Sequence, residues 1–126
     1  LETAAVRLAG CRIGDYLPSL REQVELMEAN ENKPEAFAEA DIGFHQVIVR
    51  AVDNQILENM YTNMLDLIRR LQLTILQEPN EFRRSIAGHW LIYERLSDGD
   101  VAGAQEAMDK HLRWALEIGC LHREGQ

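Results

Sequence analysis

Cysteine is scarce in this chain of 126 residues, which has Cys11 and Cys120 alone. Two cysteines so far apart argue against a disulfide framework and against a Cys-x-x-Cys metal knuckle, and we expect both thiols to be reduced and packed. The sequence also lacks any run near the roughly 20 apolar residues that span a bilayer, and its start has no basic segment followed by an apolar one. These absences predict a soluble, cytoplasmic protein with no membrane partner.

Positive charge is also in short supply. The formal net charge is -8 and the pI is near 4.9, so the surface as a whole repels a phosphate backbone, and we expect this chain not to bind DNA by itself. The length suits a single domain over residues 1–126, and 46% hydrophobic and 27% charged residues are typical of a folded globular protein. Because the chain opens on Leu1 inside a helical pattern, we expect it to be a piece of a longer protein.

Apolar residues recur at spacings of three and four almost throughout, and no alternating run is long enough to indicate a strand. Turn formers and caps interrupt the pattern at five places, which predicts an all-α, antiparallel bundle of six helices. The helices are expected at 1–12, 15–30, 34–52, 55–78, 81–97 and 100–122. Pro34 should lie in the first turn of the third helix, and Asn54 or Asp53 should cap the fourth.

The fourth predicted helix has one apolar stripe, which we interpret as a face turned towards the core. The stripe comprises Leu57, Met60, Tyr61, Met64, Leu67, Ile68, Leu71 and Ile75. Two arginine pairs, Arg69-Arg70 and Arg83-Arg84, are interpreted as solvated faces. The alternative is that one of these arginines clamps an anion, because a guanidinium binds carboxylates in a bidentate manner.

Four residues that can bind a metal interrupt apolar helical faces. Asp41 and His45 are one turn apart on the third helix, and a step of four residues advances a helix by about 6 Å, so both side chains can reach one ion. His89 and His111 fall on the apolar faces of the fifth and sixth helices. One inward histidine is more often a satisfied core residue. A carboxylate with three histidines, however, favours a metal site inside the bundle, with a central cavity.

The ligand types suit zinc first, with nickel, manganese or iron(II) also compatible. The fourth histidine, His122, is near the C-terminus and is expected on the surface, outside the site. Other chemistries have little support: the chain has no glycine-rich phosphate loop and no Gly-x-Ser-x-Gly motif. Neither His89 nor His111 has a glutamate three residues before it, which excludes the di-iron Glu-x-x-His signature.

Two segments carry a family resemblance. The first is Asp41-Ile-Gly-Phe44-His45-Gln-Val-Ile48, followed by Ala51, Asn54 and Leu57, and the second is His89-x-x-Ile92, followed by Leu96, Gly99-Asp100, Ala104, Met108 and His111-Leu112. Together they resemble the FCD (FadR C-terminal) ligand-binding domain of GntR-type bacterial transcription regulators, in its shorter six-helix form. The resemblance covers nearly the whole chain.

The resemblance implies that Asp41, His45, His89 and His111 bind a divalent metal, to which a small organic acid coordinates. It also implies a homodimer, and a winged helix-turn-helix ahead of Leu1 that binds operator DNA. Arg70 is proposed as a second anchor for the acid. The chain departs from the family pattern at Gly88, where a glutamate often precedes the third ligand, and at Arg95, where an alanine is usual.

The leading hypothesis is therefore a metal-dependent sensor of a small carboxylate, with no catalysis expected. One alternative is a metalloenzyme acting on a small carboxylate, because an Asp/His site with an open position can activate water. The other is a structural helical dimerisation module whose histidines are merely buried.

Overall fold

The computed structural model describes the backbone of residues 2–9 and 12–124, and the side chains of residues 3–9 and 12–118. The predictions for Cys11, Cys120 and His122 fall outside the described side chains. Within these ranges the chain forms six α-helices and no strand, as the sequence predicts. The helices are α1 (Glu2–Ala9), α2 (Leu17–Ala29), α3 (Pro34–Val52), α4 (Gln55–Ile75), α5 (Glu81–Ser97) and α6 (Val101–Glu124).

The helix ends follow from local chemistry. Pro34 lies in the first turn of α3, where its missing N–H costs no hydrogen bond. Asp53 ends α3 in the left-handed conformation with φ 58°. The cap of α4 is Asn54, whose side chain accepts hydrogen bonds from the backbone N–H groups of Ile56 and Leu57. Of the two predicted caps, Asn54 is therefore the one that caps α4.

Several predicted boundaries differ from the structure, and two of these differences have a clear local cause. The second helix begins at Leu17 and not at residue 15, because Ile13–Tyr16 form a 3₁₀ turn ahead of Pro18. The fourth ends at Ile75 and not at residue 78: the N–H groups of Gln77 and Glu78 bond to carbonyls three residues back. Pro79 follows directly, and a proline disfavours the helical conformation of the residue before it.

Helix α3 lies at the centre of the bundle, packed against α1, α2 and α4, while α6 packs against α1, α4 and α5. Two apolar clusters form the core. The larger includes Phe44 and Ile48 of α3, and the smaller includes Phe37 of α3 with Phe82 of α5. Asp41 and His45 therefore lie on α3 where the two clusters meet. No helix in the described ranges is long and apolar enough to cross a bilayer.

The prediction for α4 is wrong in one respect, because part of its apolar stripe faces outwards. Met60, Met64 and Leu67 have exposed fractions of 50%, 41% and 61%, and the neighbouring Ile56 has 72%. Tyr61 and Ile75 of the same stripe are buried. The reason is that, in the part of the chain that the structure describes, α3 and α6 are the helices that pack closely against α4, so the apolar surface of α4 is wider than its neighbours cover.

Candidate metal centre and adjoining cavity

The structure brings together the four side chains that the sequence singles out. Asp41 and His45 extend from α3, His89 from α5 and His111 from α6. One ligand atom from each residue lies within 4.8 Å of the others. Three of the residues are buried and His111 is partly buried. Because three helices contribute, the cluster forms only when the bundle is folded.

The surroundings of the cluster hold its rings in place. Phe44 packs edge-on against His89, with ring centroids 4.8 Å apart, and edge-on against His45 at 5.6 Å. The rings of His45 and His111 are stacked at 5.7 Å, and His89 meets His111 edge-on at 4.4 Å. The three imidazoles therefore form one packed group.

The hydrogen bond of His89 to its own helix assigns its proton. Its Nδ1 lies 2.7 Å from the carbonyl oxygen of Ser85, one turn earlier on α5. A carbonyl oxygen accepts and never donates, so Nδ1 carries a hydrogen. A second hydrogen bond of this kind is what orients metal-binding histidines in proteins. The ring is thereby turned so that Nε2 faces the centre of the cluster.

That orientation places two hydrogen-bond acceptors, Nε2 of His89 and Oδ1 of Asp41, next to each other. His89 Nε2 is 2.7 Å from Asp41 Oδ1 and 3.2 Å from His45 Nε2, and His45 Nε2 is 3.0 Å from Asp41 Oδ1. A neutral His89 has a lone pair at Nε2, which would repel the carboxylate oxygen at this distance. A cation must lie between them, either a proton or a metal ion. In a tetrahedral zinc site with bonds near 2.0–2.1 Å, ligand atoms are roughly 3.3 Å apart, and the four candidate ligand atoms here lie within 4.8 Å of one another. The residues present therefore fit a metal.

The electrostatics of the cluster favour, at Asp41 and His111, the protonation states that a metal requires. Burial alone would raise the pKa of Asp41, but the charge of His89 and hydrogen bonds from His45 and His89 outweigh it and hold that pKa well below its ordinary value. Burial lowers the pKa of His111 well below 6.5, with repulsion from His89 and His45 adding to the effect and attraction from Asp41 opposing it. The site thus combines an ionised carboxylate with a neutral imidazole.

Gly88, where the chain departs from the family pattern, has a structural role beside the cluster. A Cβ atom built at this position would lie 3.0 Å from Nδ1 of His111. The ring of His111 therefore occupies the space that a side chain at residue 88 would need. The absence of a glutamate here removes one potential partner of the ligands, but it also allows α5 and α6 to approach closely at the cluster.

A cavity of about 120 Å³ adjoins the cluster. Asp41, His45 and His111 form part of its wall, and Ser85 another part. The rest comes from α4, the turn after it and α6, with apolar side chains and the polar residues Tyr61, Gln72 and Trp114. Among the described residues, neither lysine nor arginine lines this cavity. A ligand here would touch the cluster at one end and mostly apolar walls elsewhere.

Arg70, which the sequence suggests as an anchor for an acid, lies outside the cavity wall. Its side chain is exposed, its Nε donates to the carbonyl oxygen of Asp66 at 3.5 Å, and it is not among the cavity residues. Sequence reasoning did not identify Ser85, Gln72 or Trp114. Trp114 carries a usable signal, because it follows His111 by three residues and so shares its helical face.

Comparison with known families gives a match over most of the chain. A model of the FCD domain matches residues 1–113. The chain belongs to the FCD family. The FCD domain is the ligand-binding domain of GntR-type regulators, so the resemblance drawn from the two sequence segments is confirmed. The match includes all four residues of the cluster, and Trp114 lies directly after it. No curated protein matches this FCD domain.

Proposed function

We propose that this FCD domain is the effector-sensing part of a GntR-type transcription regulator in the cytoplasm. It binds one divalent metal through Asp41, His45, His89 and His111, and a small organic acid completes the metal's coordination from the adjoining cavity. The observation that carries the proposal is the 2.7 Å approach of His89 Nε2 to Asp41 Oδ1 next to that cavity, because this approach needs a cation. Zinc is the first choice, and nickel, manganese and iron(II) are compatible.

Charge supports the acid as the ligand. A divalent metal held by one carboxylate and three neutral imidazoles has a net charge near +1, so it attracts an anion despite the acidic exterior of the domain. An oxygen of a carboxylate suits the coordination positions that four protein ligands leave open on a six-coordinate metal or on a zinc that expands its shell. Acid binding then biases the bundle between two arrangements and modulates DNA binding by an N-terminal domain ahead of Leu1.

A sensor is favoured over a metalloenzyme. Hydrolysis at a metal site needs a general base near the water that it activates. Apart from Asp41, His45 and His111 themselves, the described lining of the cavity holds no carboxylate and no histidine. The polar groups that remain, on Ser85, Tyr61, Gln72 and Trp114, are suited to holding a ligand.

The exposed face of α4 supports a homodimer. Its outward residues Ile56, Met60, Met64 and Leu67 are spaced almost symmetrically about Thr62. If two copies of α4 pack antiparallel about a two-fold axis there, Ile56 meets Leu67 of the partner subunit and Met60 meets Met64 of the partner subunit. A face that complements itself in this way is what a two-fold interface requires. A second copy of this chain is therefore its proposed partner.

Metal analysis followed by calorimetric titration tests the proposal. The purified chain should contain about one divalent ion per copy, and the metal-loaded form should bind one or more acids from a panel of mono-, di- and tricarboxylates and sugar acids. The chelator-stripped form should not bind them. An acid that binds both forms equally well would show that the metal is not its receptor.

The role of Arg70 as a second anchor is part of the same proposal. It requires that the side chain leave Asp66 and turn towards the cavity. Arg70→Ala should then weaken acid binding, whereas Arg83→Ala, which removes an exposed arginine paired with Glu31, should not. Equal affinities in both variants would remove Arg70 from the site.

A further inference from the structure

Two buried polar atoms near the metal centre lack a partner. Nε1 of Trp114 and Oε1 of Gln72 are both shielded from solvent, and neither has a hydrogen-bond partner among the residues that the structure describes. A buried donor or acceptor without a partner is costly, and such groups in folded proteins usually have one. These two atoms therefore need an explanation.

Both residues line the same cavity from different helices. Gln72 belongs to α4 and Trp114 to α6, while the metal cluster forms another part of the wall. The indole of Trp114 is held in place, since its ring centroid is 5.5 Å from that of His111 and the guanidinium of Arg84 lies 5.4 Å from the ring centroid. A ligand bound at the metal would therefore lie beside a fixed donor.

The chemistry of the two atoms indicates what they would bind. An indole N–H donates and cannot accept, and an amide oxygen accepts and cannot donate. A hydroxyl group satisfies both, because its oxygen accepts from Trp114 while its hydrogen is donated to Gln72. A second carboxylate fits poorly: it has no hydrogen for Gln72, and the described lining of the cavity offers it neither lysine nor arginine.

The size of the cavity limits the ligand further. An apolar cavity of about 150 Å³ in another protein accommodates benzene, which has six heavy atoms. The cavity of about 120 Å³ next to the cluster therefore suits an acid of about six heavy atoms. A tricarboxylate or a six-carbon sugar acid is too large without a change in the walls.

We propose that the effector is a small hydroxy-monocarboxylate and that Trp114 and Gln72 are the residues that select it. This inference rests on the proposed function, since the carboxylate of the acid is taken to bind the metal. The hydroxyl group bonds to Trp114 Nε1 and Gln72 Oε1. Selectivity arises because an acid without the hydroxyl leaves both atoms buried and unpaired.

Calorimetry with matched pairs of acids tests the proposal on the metal-loaded chain. The pairs are propionate with 2- and 3-hydroxypropionate, and butyrate with 2-, 3- and 4-hydroxybutyrate. Malonate and succinate represent dicarboxylates. At least one hydroxy acid should bind about tenfold more tightly than its parent acid, the effect expected of one or two well-formed hydrogen bonds. The dicarboxylates should bind more weakly than that hydroxy acid.

Two variants and a matched control locate the selectivity. Trp114→Phe keeps an aromatic ring but removes the N–H, and Gln72→Leu removes the acceptor. In both variants, the ratio of the affinity for the hydroxy acid to the affinity for the parent acid should fall towards one. The parent acid should still bind. Trp90→Phe makes the same change at the other tryptophan, which packs against Tyr93 on α5 outside the cavity. It should keep the preference, and its emission, then from Trp114 alone, should change when the hydroxy acid binds.

The outcomes distinguish a failure of this inference from a failure of the proposed function. If acids bind the metal-loaded chain but hydroxy and parent acids bind equally, or a dicarboxylate binds best, the inference is overturned and the sensor function stands. If no acid binds the metal-loaded chain, both are overturned. If Trp90→Phe loses the preference as fully as Trp114→Phe, the effect is one of general packing and the inference is again overturned.

Discussion

Asp41 and His89 meet at 2.7 Å across the interior of the bundle, although they are 48 residues apart in sequence. Because His89 donates its Nδ1 hydrogen to Ser85, the atom that faces Asp41 has no hydrogen of its own in the neutral ring. The pair is therefore a site for one cation. We expect a proton to hold that place in the metal-free chain and a metal ion to displace it on binding.

Zinc binding should therefore release about one proton per chain near neutral pH, since metal ligands must be deprotonated. The release can be measured by titrating zinc into the metal-free chain in two buffers with different ionisation enthalpies. The observed heat should differ between the buffers in proportion to those enthalpies. A heat that does not depend on the buffer would mean that no proton occupies the site.

Removing a ligand should weaken both metal binding and folding. His89→Ala and His111→Ala should lower the metal content of the purified chain and its melting temperature. An ion that binds the folded state alone stabilises it by about 2.7 kcal/mol when its free concentration is 100 times Kd. The matched control is His122→Ala, at the histidine that the sequence places outside the site. Unchanged metal stoichiometry in both ligand variants would remove the proposed centre.

Much of the fold could be predicted because helices leave local signals. The helices α3 and α4 were located from the sequence alone. The signals were their periodic apolar positions, together with Pro34 and Asn54 at their starts. The direction in which α4 turns its apolar surface was not predictable in the same way. The apolar pattern includes both Met60 and Tyr61, but which of the two is buried depends on where the neighbouring helices pack against α4.

The candidate site was predictable to the same extent. Four ligand-type residues on otherwise apolar faces are visible in the sequence, and the structure brings them together. The carbonyl of Ser85 is not visible, because every residue has one. The partnerless atoms of Gln72 and Trp114 could not be found either, since a missing hydrogen bond is a property of the folded neighbourhood.

Gly88→Ala should weaken metal binding while leaving the helix intact. The added methyl group would lie 3.0 Å from Nδ1 of His111 and would push the ring from its position. We expect the metal affinity to fall by about tenfold, the lower end of what changes next to metal ligands cause. Alanine is the better helix former by about 1 kcal/mol, so the metal-free chain should lose little stability.

The matched control for Gly88→Ala is Gly14→Ala, where an added Cβ meets nothing within 4 Å. Metal affinity measured by competition with a chelator should be unchanged in that variant. If Gly88→Ala binds metal as tightly as Gly14→Ala, the position of His111 does not depend on the missing side chain.

The metal-free chain should lose stability as the pH falls below 6.5. Burial holds the pKa of His111 well below that value in the folded state. Between pH 6.5 and the folded pKa, the unfolded chain binds a proton at this residue and the folded chain does not, so the free energy of unfolding decreases as the pH decreases. The slope approaches about 1.4 kcal/mol per pH unit. Above pH 6.5 the residue is neutral in both states and adds no slope.

Urea unfolding of the chelator-treated chain at several pH values between 5 and 7.5 measures this dependence. His111→Phe removes the titrating group, so its stability should fall less steeply over the same range. Asp41 does not interfere, because the stability that its lowered pKa contributes is lost only below its ordinary value of 3.8. Identical slopes in the two proteins would mean that His111 is not kept neutral by folding.

Met64→Glu should convert the proposed homodimer into a monomer. Met64 lies near the centre of the outward face of α4, so a two-fold pairing places both copies of the new carboxylate in one apolar contact, where two desolvated like charges are unfavourable. Leu26→Glu on α2 is the control, because Leu26 and Met64 have the same exposed fraction of 41%. Sedimentation should show a monomer for Met64→Glu and a dimer for Leu26→Glu, with equal helical content by circular dichroism. If both variants stay dimeric, or if the unmodified chain sediments as a monomer, the face of α4 does not join two copies.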